Sequence, residues 1–190
     1  MGFWIGVAFL VVCGLGLPLF RKLAHSSLLR GLGWDGASLV PVTWGLNGLR
    51  LKRPRWEGEV EFDAGGLGGG GRRGHLLLTA SLGRTTPSLS FHDKAPTDAS
   101  VAGAPVVKTG DDVFDSRIVV TGDEAFARKV LVPEQRERLL RLAETGGRLE
   151  AISGGIVQLV GALPAQRSQL RDFLDRCDQF LDALAAGLPT

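Results

Sequence analysis

An acidic box is the most distinctive group of chemically capable residues in this chain. Residues Gly110–Arg117 read Gly-Asp-Asp-Val-Phe-Asp-Ser-Arg, and Asp123 and Glu124 follow shortly after. Clustered carboxylates can bind Ca²⁺ or Mg²⁺, because both ions take several oxygen ligands. The spacing does not match an EF-hand loop, which has acids at alternating positions, a glycine at the sixth and a glutamate at the twelfth. Turn formation and helix capping account for the same residues, so no metal-binding residue is assigned.

Histidine, serine and cysteine form no catalytic motif in the sequence. His25, His75 and His92 lie in three separate segments, without the close spacing of a zinc site. A Ser-His-Asp triad assembles in space and stays open at this point, but no serine lies in a G-x-S-x-G elbow. Cys177 falls on the apolar stripe of a predicted helix. We therefore assign no catalytic residue, and a hydrolase-type enzyme ranks third among the candidate functions.

Two glycine patterns match the dinucleotide fingerprint G-x-G-x-x-G, at residues 31–36 and 66–71. The fingerprint requires a strand before it and a helix after it, so that the helix N-terminus faces the pyrophosphate. The first pattern leads into a predicted strand, and so does the second. Both are interpreted as turns, and no cofactor is expected.

The basic stretch Arg50–Trp56 is the best candidate for binding, since it combines four cations with an indole. Each cation near anionic lipid contributes about 1 kcal/mol of attraction. The possible anionic-lipid contacts are Arg21, Lys22, Arg50, Lys52, Arg53, Arg55 and Trp56. Cross-strand ion pairs with the following glutamates are the competing interpretation. Nucleic acid is not expected as a partner, because residues 57–190 hold fifteen basic and nineteen acidic groups.

An uncharged run predicts where the protein is located. Residues Gly2–Phe20 contain nineteen residues without a charge, and Arg21 and Lys22 close the run. As a helix it would cover roughly 28 Å, close to the thickness of a bilayer core. A cleaved signal peptide would need a positive start and a small-residue cleavage site, and a buried core helix is typically shorter. We predict one transmembrane helix in the inner (plasma) membrane. The cations after it put the N-terminus outside and the domain in the cytoplasm.

The first soluble half is predicted to be β-rich. Strands are predicted at 38–44, 56–63, 75–82 and 88–91. Residues 56–63 alternate cleanly, with Trp56, Val60 and Phe62 on one face and four acids on the other. No helical pattern separates these strands, so they should form an antiparallel sheet.

The second half is predicted to be a β-α-α-β-β-α lobe. A strand over 117–121 is followed by a helix capped by Asp123, a helix from Pro133 to Thr145 and a hairpin around Gly154-Gly155. A helix over 165–186 with one apolar stripe closes the chain. The predicted fold class is α+β. The predicted domains are an anchor (1–22), a β-rich lobe (23–93), a linker or long loop (94–112) and an α+β lobe (113–190).

The segment Thr109–Gly122, with its Asp-x-x-Phe-Asp box leading into a strand, resembles a box in uncharacterised bacterial single-pass membrane-anchored proteins. In those proteins a helix pair, a glycine-turn hairpin and a closing helix follow. The resemblance covers roughly residues 109–186 as an order of elements. It implies a membrane-tethered α+β domain of bacterial origin, and no activity comes with it.

These observations favour a single-pass protein whose cytoplasmic domain is a non-enzymatic protein-interaction or assembly module. The anchor, the well-patterned domain and the lack of a catalytic motif in the sequence together motivate that expectation. An anionic-lipid or small-ligand-binding domain at the membrane surface is the alternative. The expected partners are the membrane, through residues 2–20, and a further protein.

Overall fold

The computed structural model describes residues 36–42, 46–63, 75–93 and 105–188, together with Leu32 and Trp34. The predicted anchor, Arg21, Lys22, His25 and residues 94–104 of the predicted linker lie outside this part of the chain. Within it, no helix has both the length and the apolar character needed to cross a bilayer.

The described residues form one sheet of nine strands. The strands are β1 (Ala37–Val42), β2 (Leu46–Lys52), β3 (Glu57–Asp63), β4 (His75–Ser81), β5 (Leu89–Asp93), β6 (Val106–Val107), β7 (Ile118–Gly122), β8 (Arg148–Ser153) and β9 (Ile156–Ala162). Their order across the sheet is β1-β2-β3-β4-β9-β8-β5-β7-β6. Neighbouring strands are antiparallel throughout, so the predicted antiparallel sheet and the α+β class are confirmed.

Four helices accompany the sheet in the described residues. They are α1 (Asp112–Arg117), α2 (Glu124–Val130), α3 (Pro133–Glu144) and α4 (Arg167–Gly187). The order β7-α2-α3-β8-β9-α4 is the one predicted for the second half. Helix α1 was not predicted, because its six residues are too few to show a helical period and were interpreted as a turn.

Both halves of the chain contribute to the same sheet and the same core. Strand β4 pairs with β9 along its whole length, from His75↔Ala162 to Ser81↔Ile156. One hydrophobic cluster contains Leu49 of β2 as well as Leu174 of α4. The predicted boundary of the two lobes therefore runs through a sheet that joins them.

The core lies between helix α4 and one face of the sheet. The buried residues of α4 are the predicted stripe with Phe180 and Ala185 in addition, namely Leu170, Phe173, Leu174, Cys177, Phe180, Leu181, Leu184 and Ala185. On the sheet, Leu76, Leu78 and Ala80 of β4 are completely buried, and the residues between them are partly exposed. Packing is close enough that a Cβ at Gly161 of β9 would lie 2.6 Å from the Phe173 ring. Such contacts require glycine at that position.

Strand β2 is a strand that the sequence prediction missed, since its cations were interpreted as a binding stretch. Leu49 and Leu51 are buried at 3% and 1% exposure, and Arg50 between them is exposed. This period of two is that of a half-buried strand. The correction matters for function, because it determines where Arg50 and Lys52 point.

Candidate functional site

The acidic box before α1 is held in place by its own folding contacts. Asp111 is the N-cap of α1, and its side chain accepts hydrogen bonds from the N–H groups of Val113 and Phe114, both at 3.1 Å. Its second carboxylate oxygen accepts a hydrogen bond from Arg136 Nε at 3.1 Å. The N–H of Phe114 and the Arg136 guanidinium lower the pKa of Asp111, since both favour the ionised form. This carboxylate serves as a cap and an ion-pair partner.

Asp115 of the box and Asp123 beyond it also accept hydrogen bonds within the fold. Asp115 accepts hydrogen bonds from the backbone N–H and the hydroxyl of Thr109, at 3.1 and 2.8 Å, and from the N–H of Gly110. Asp123 caps α2 through the N–H of Phe126 at 2.7 Å. No group of three or more metal-ligating side chains occurs among the described residues. The geometry assigns these acids to turn formation and capping, which was the second of the two predicted roles.

The structure does not bring the two described histidines together. His75 begins β4 and His92 lies in β5, and strands β9 and β8 separate them in the sheet. Nε2 of His92 is buried and has no hydrogen-bond partner among the described residues. It lies beside a cavity of about 20 Å³ at the end of β5, which is large enough for one water molecule.

The predicted lipid-contact residues are divided between two sides of the sheet. Arg50 and Lys52 alternate with the buried Leu49 and Leu51, so they point away from the core. Arg50 Nε donates to Glu59 Oε1 at 2.9 Å, across from it on β3. This contact is the cross-strand ion pair that was the competing interpretation of the stretch.

Arg53 and Arg55 point to the opposite side, toward helix α4. Arg53 Nε donates to Asp178 at 3.1 Å, and Arg55 Nη1 donates to Asp182 at 2.9 Å. Trp56 is 3% exposed and belongs to the core cluster. Because two of these side chains are engaged by α4 and the indole is buried, the described members of the stretch do not form a single cationic surface.

A short strap, defined here as Leu32 and Trp34, ties the segment before β1 to α4. Leu32 is 4% exposed within the core, and its carbonyl accepts a hydrogen bond from Arg171 Nη2 at 2.8 Å. Trp34 Nε1 donates to Asp175 at 2.8 Å, and the Arg53 guanidinium lies 4.1 Å from the centre of the Trp34 ring. The strap is therefore held against α4 by a buried side chain, two hydrogen bonds and a contact between a cation and a ring.

Sequence reasoning missed this site, although α4 carried a signal for it. Asp175, Asp178 and Asp182 recur at helical spacing along one edge of the apolar stripe of α4, where all three are half-buried. Burial raises the pKa of Asp178, and Asp182 and Asp175 add to this while Arg53 opposes it. A groove lies between the strap, the β2–β3 turn and α4. It is lined by three arginines and three aspartates, so it carries no net charge.

The surface on the other side of the sheet is called the open face here. It consists of the side chains of β1 to β4 that point away from α4, namely Ser38, Val40, Arg50, Lys52, Glu57, Glu59, Glu61, Leu77, Thr79 and Ser81. Glu57, Lys52 and Glu61 are exposed, and Arg50 and Glu59 have 59% and 42% of their side-chain area in solvent. The predicted alternation of β3 is confirmed, since Gly58, Val60 and Phe62 are buried beneath these acids. The open face thus presents a cationic row on β2 beside an acidic row on β3.

Comparison of the chain with protein-family models, curated proteins and solved structures found no match.

Proposed function

We propose that this chain is a single-pass membrane-anchored protein whose domain acts as a non-enzymatic protein-interaction module on the cytoplasmic side. The observation that carries the proposal is that some charged side chains are bound within the fold while others lie in solvent. Asp111, Asp115, Asp123 and Arg53 are all engaged in caps or in pairs inside the fold. The ordered charges of the open face, in contrast, lie in solvent, where a partner can reach them.

The strap supports a defined position for the domain beneath the proposed anchor Gly2–Phe20. Eleven residues lie between Phe20 and Leu32, and each of the twelve steps from one Cα to the next spans at most about 3.5 Å in an extended chain. Leu32, where the strap begins, therefore lies within about 42 Å of the membrane. Because the strap is bound to α4 and Trp34 lies against Arg53, the connection to the anchor would join the domain beside the β2–β3 turn.

Extraction of the full-length chain from its own membranes tests the proposal. The tagged chain should stay in the pellet after carbonate washing and should dissolve in mild detergent. Mass spectrometry, together with the mass of the purified species, should then show a stoichiometric protein partner, either a different protein or a second copy of the chain. A chain that is freely soluble after cell lysis would contradict the anchor, and a monomer with no protein partner of either kind would contradict the interaction role.

Contact of the domain with anionic lipid is the alternative, and the exposure of Arg50 and Lys52 is the observation that favours it. It has less support, because Arg53 and Arg55 are neutralised by Asp178 and Asp182. Flotation with phosphatidylserine vesicles of a chain lacking residues 2–20 tests it. If lipid contact occurs, Arg50→Ala/Lys52→Ala should reduce binding more than Arg55→Ala does, and binding should fall with added salt.

A further inference from the structure

The charge rows of the open face are complementary to themselves in the register of the sheet. Arg50 lies opposite Glu59, and Lys52 lies opposite Glu57. A two-fold axis parallel to the strands, midway between β2 and β3, places the β2 row of one copy over the β3 row of the other. Arg50 would then face Glu59 of the second copy, and Lys52 would face Glu57.

The same operation matches the strands that flank the charges. It brings β1 of one copy over β4 of the other. Ser38 is the cross-strand partner of Arg50, and Thr79 is that of Glu59. The hydroxyl of Ser38 in one copy would therefore face the hydroxyl of Thr79 in the other. The next outward-facing residues along β1 and β4 are Val40, which is the cross-strand partner of Gly48, and Leu77, which is the cross-strand partner of Glu61. Continuing the β2–β3 register by one residue therefore puts Val40 over Leu77, an apolar pair.

We propose that the open face is the interface of a two-fold symmetric dimer, with a second copy of this chain as its occupant. Isologous interfaces require a patch that is complementary to itself under the two-fold rotation, and the rows of β1 to β4 meet that requirement residue by residue. Two sheets can pack face to face with their strands nearly aligned, about 10 Å apart. Arg50 and Glu59 already pair within one chain, so the dimer adds a second partner to each.

The direction of the axis agrees with two chains in one membrane. Rotation about an axis parallel to the strands leaves strand direction unchanged, so both copies begin β1 at the same end of the dimer. Both straps then lie at that end, beside the two β2–β3 turns. This agreement rests on the proposed anchor, because both anchors can enter one bilayer only if both straps lie at the same end of the dimer. Confinement to a membrane also raises the effective concentration of the two faces, which suits a polar interface.

Two complementary variants test the proposal with the full-length chain in mild detergent. Arg50→Glu/Lys52→Glu makes the whole face acidic, and Glu57→Lys/Glu59→Lys makes it basic. The wild type should have a protein mass of about 40 kDa by light scattering, twice the 20.2 kDa of the chain. Each variant alone should be monomeric, and an equimolar mixture should recover the dimer mass. Arg141→Glu on α3, which is 60% exposed and outside the face, is the matched control and should stay dimeric.

Other outcomes would overturn the proposal. A wild type that is monomeric at all concentrations would contradict the dimer. If the wild type is a dimer and both row variants stay dimeric, the contact lies elsewhere, for example in the anchor, and the proposed interface is wrong. A stoichiometric protein of another kind in place of the second copy would also refute it.

A second measurement avoids substitutions: carbodiimide treatment of mixed ¹⁴N and ¹⁵N chains should give Lys52–Glu57 cross-links of mixed isotope content. Cross-links confined to one isotope would count against the dimer. Carbonate extraction reports on the anchor separately, so the two proposals can fail independently.

Discussion

The β8–β9 hairpin turn offers a matched pair of glycines whose substitution should have very different effects. Gly154 and Gly155 have φ values of 60° and 88°, in the left-handed region. A Cβ added at Gly154 would meet nothing within 4 Å, whereas one at Gly155 would lie 1.7 Å from the carbonyl oxygen of Arg84. The backbone conformation is therefore shared by the two positions, whereas the clash of an added Cβ with the loop after β4 occurs only at Gly155.

The expected costs follow from these two terms. Left-handed backbone costs an alanine about 1–2 kcal/mol, and the smaller entropy of the unfolded alanine chain returns about 0.4–1 kcal/mol. Gly154→Ala should therefore lower the free energy of unfolding by about 1 kcal/mol. Gly155→Ala must also move the turn away from the loop that follows β4. That movement loses three hydrogen bonds: Leu82 N–H to the Gly155 carbonyl, Gly154 N–H to the Thr86 carbonyl, and Gly155 N–H to the Thr86 hydroxyl. At about 1 kcal/mol each, the total cost is about 4 kcal/mol.

Urea unfolding of the full-length chain in mild detergent, followed by circular dichroism, measures both values. The midpoint of Gly155→Ala should lie well below that of Gly154→Ala, with similar slopes. Equal losses in the two variants would show that the loop after β4 does not rest on the turn, and the close approach described above would be wrong.

Three further predictions concern ionisable groups. Burial raises the pKa of Asp178, so the contribution of this residue to stability should decline as pH rises above 3.8. Between pH 4 and 7, the free energy of unfolding should therefore depend less on pH in Asp178→Asn than in the wild type. The pKa of Asp111 is lowered, so its contribution should be present above pH 3.8 and lost below it, and Asp111→Asn should reduce the loss of stability on acidification to pH 3. Burial raises the pKa of the Cys177 thiol far above its usual range, so maleimide should modify it at pH 8 only after denaturant is added, as peptide mass spectrometry would show separately from Cys13. Rapid labelling of Cys177 in the native chain would contradict its burial.

Patterns that repeat within a few residues could be predicted from the sequence. The period of two in β3, the Gly154-Gly155 turn, the cap at Asp123 and the apolar stripe of α4 are all properties of short segments. Backbone geometry alone relates such spacing to a face or a turn, so no distant residue has to be known. The α+β class with its antiparallel sheet follows from the order of these segments. The anchor over residues 2–20 and the cytoplasmic location are predictions of the same local kind, and they await their own test.

The pairing of segments far apart in the chain was decided by the tertiary structure. Arg53 and Asp178 are 125 residues apart, and Trp34 and Asp175 are 141 apart, so no local pattern relates them. The role of β2 likewise depends on β1 and β3 on either side of it, because a short run with alternating cations has no distinct signal until neighbours bury its leucines. The sequence by itself therefore determined which segments are strands or helices wherever the period is strong. Only the packed sheet decided which charges neutralise each other beside α4 and which remain in rows on the open face, because that choice depends on burial summed over the whole core.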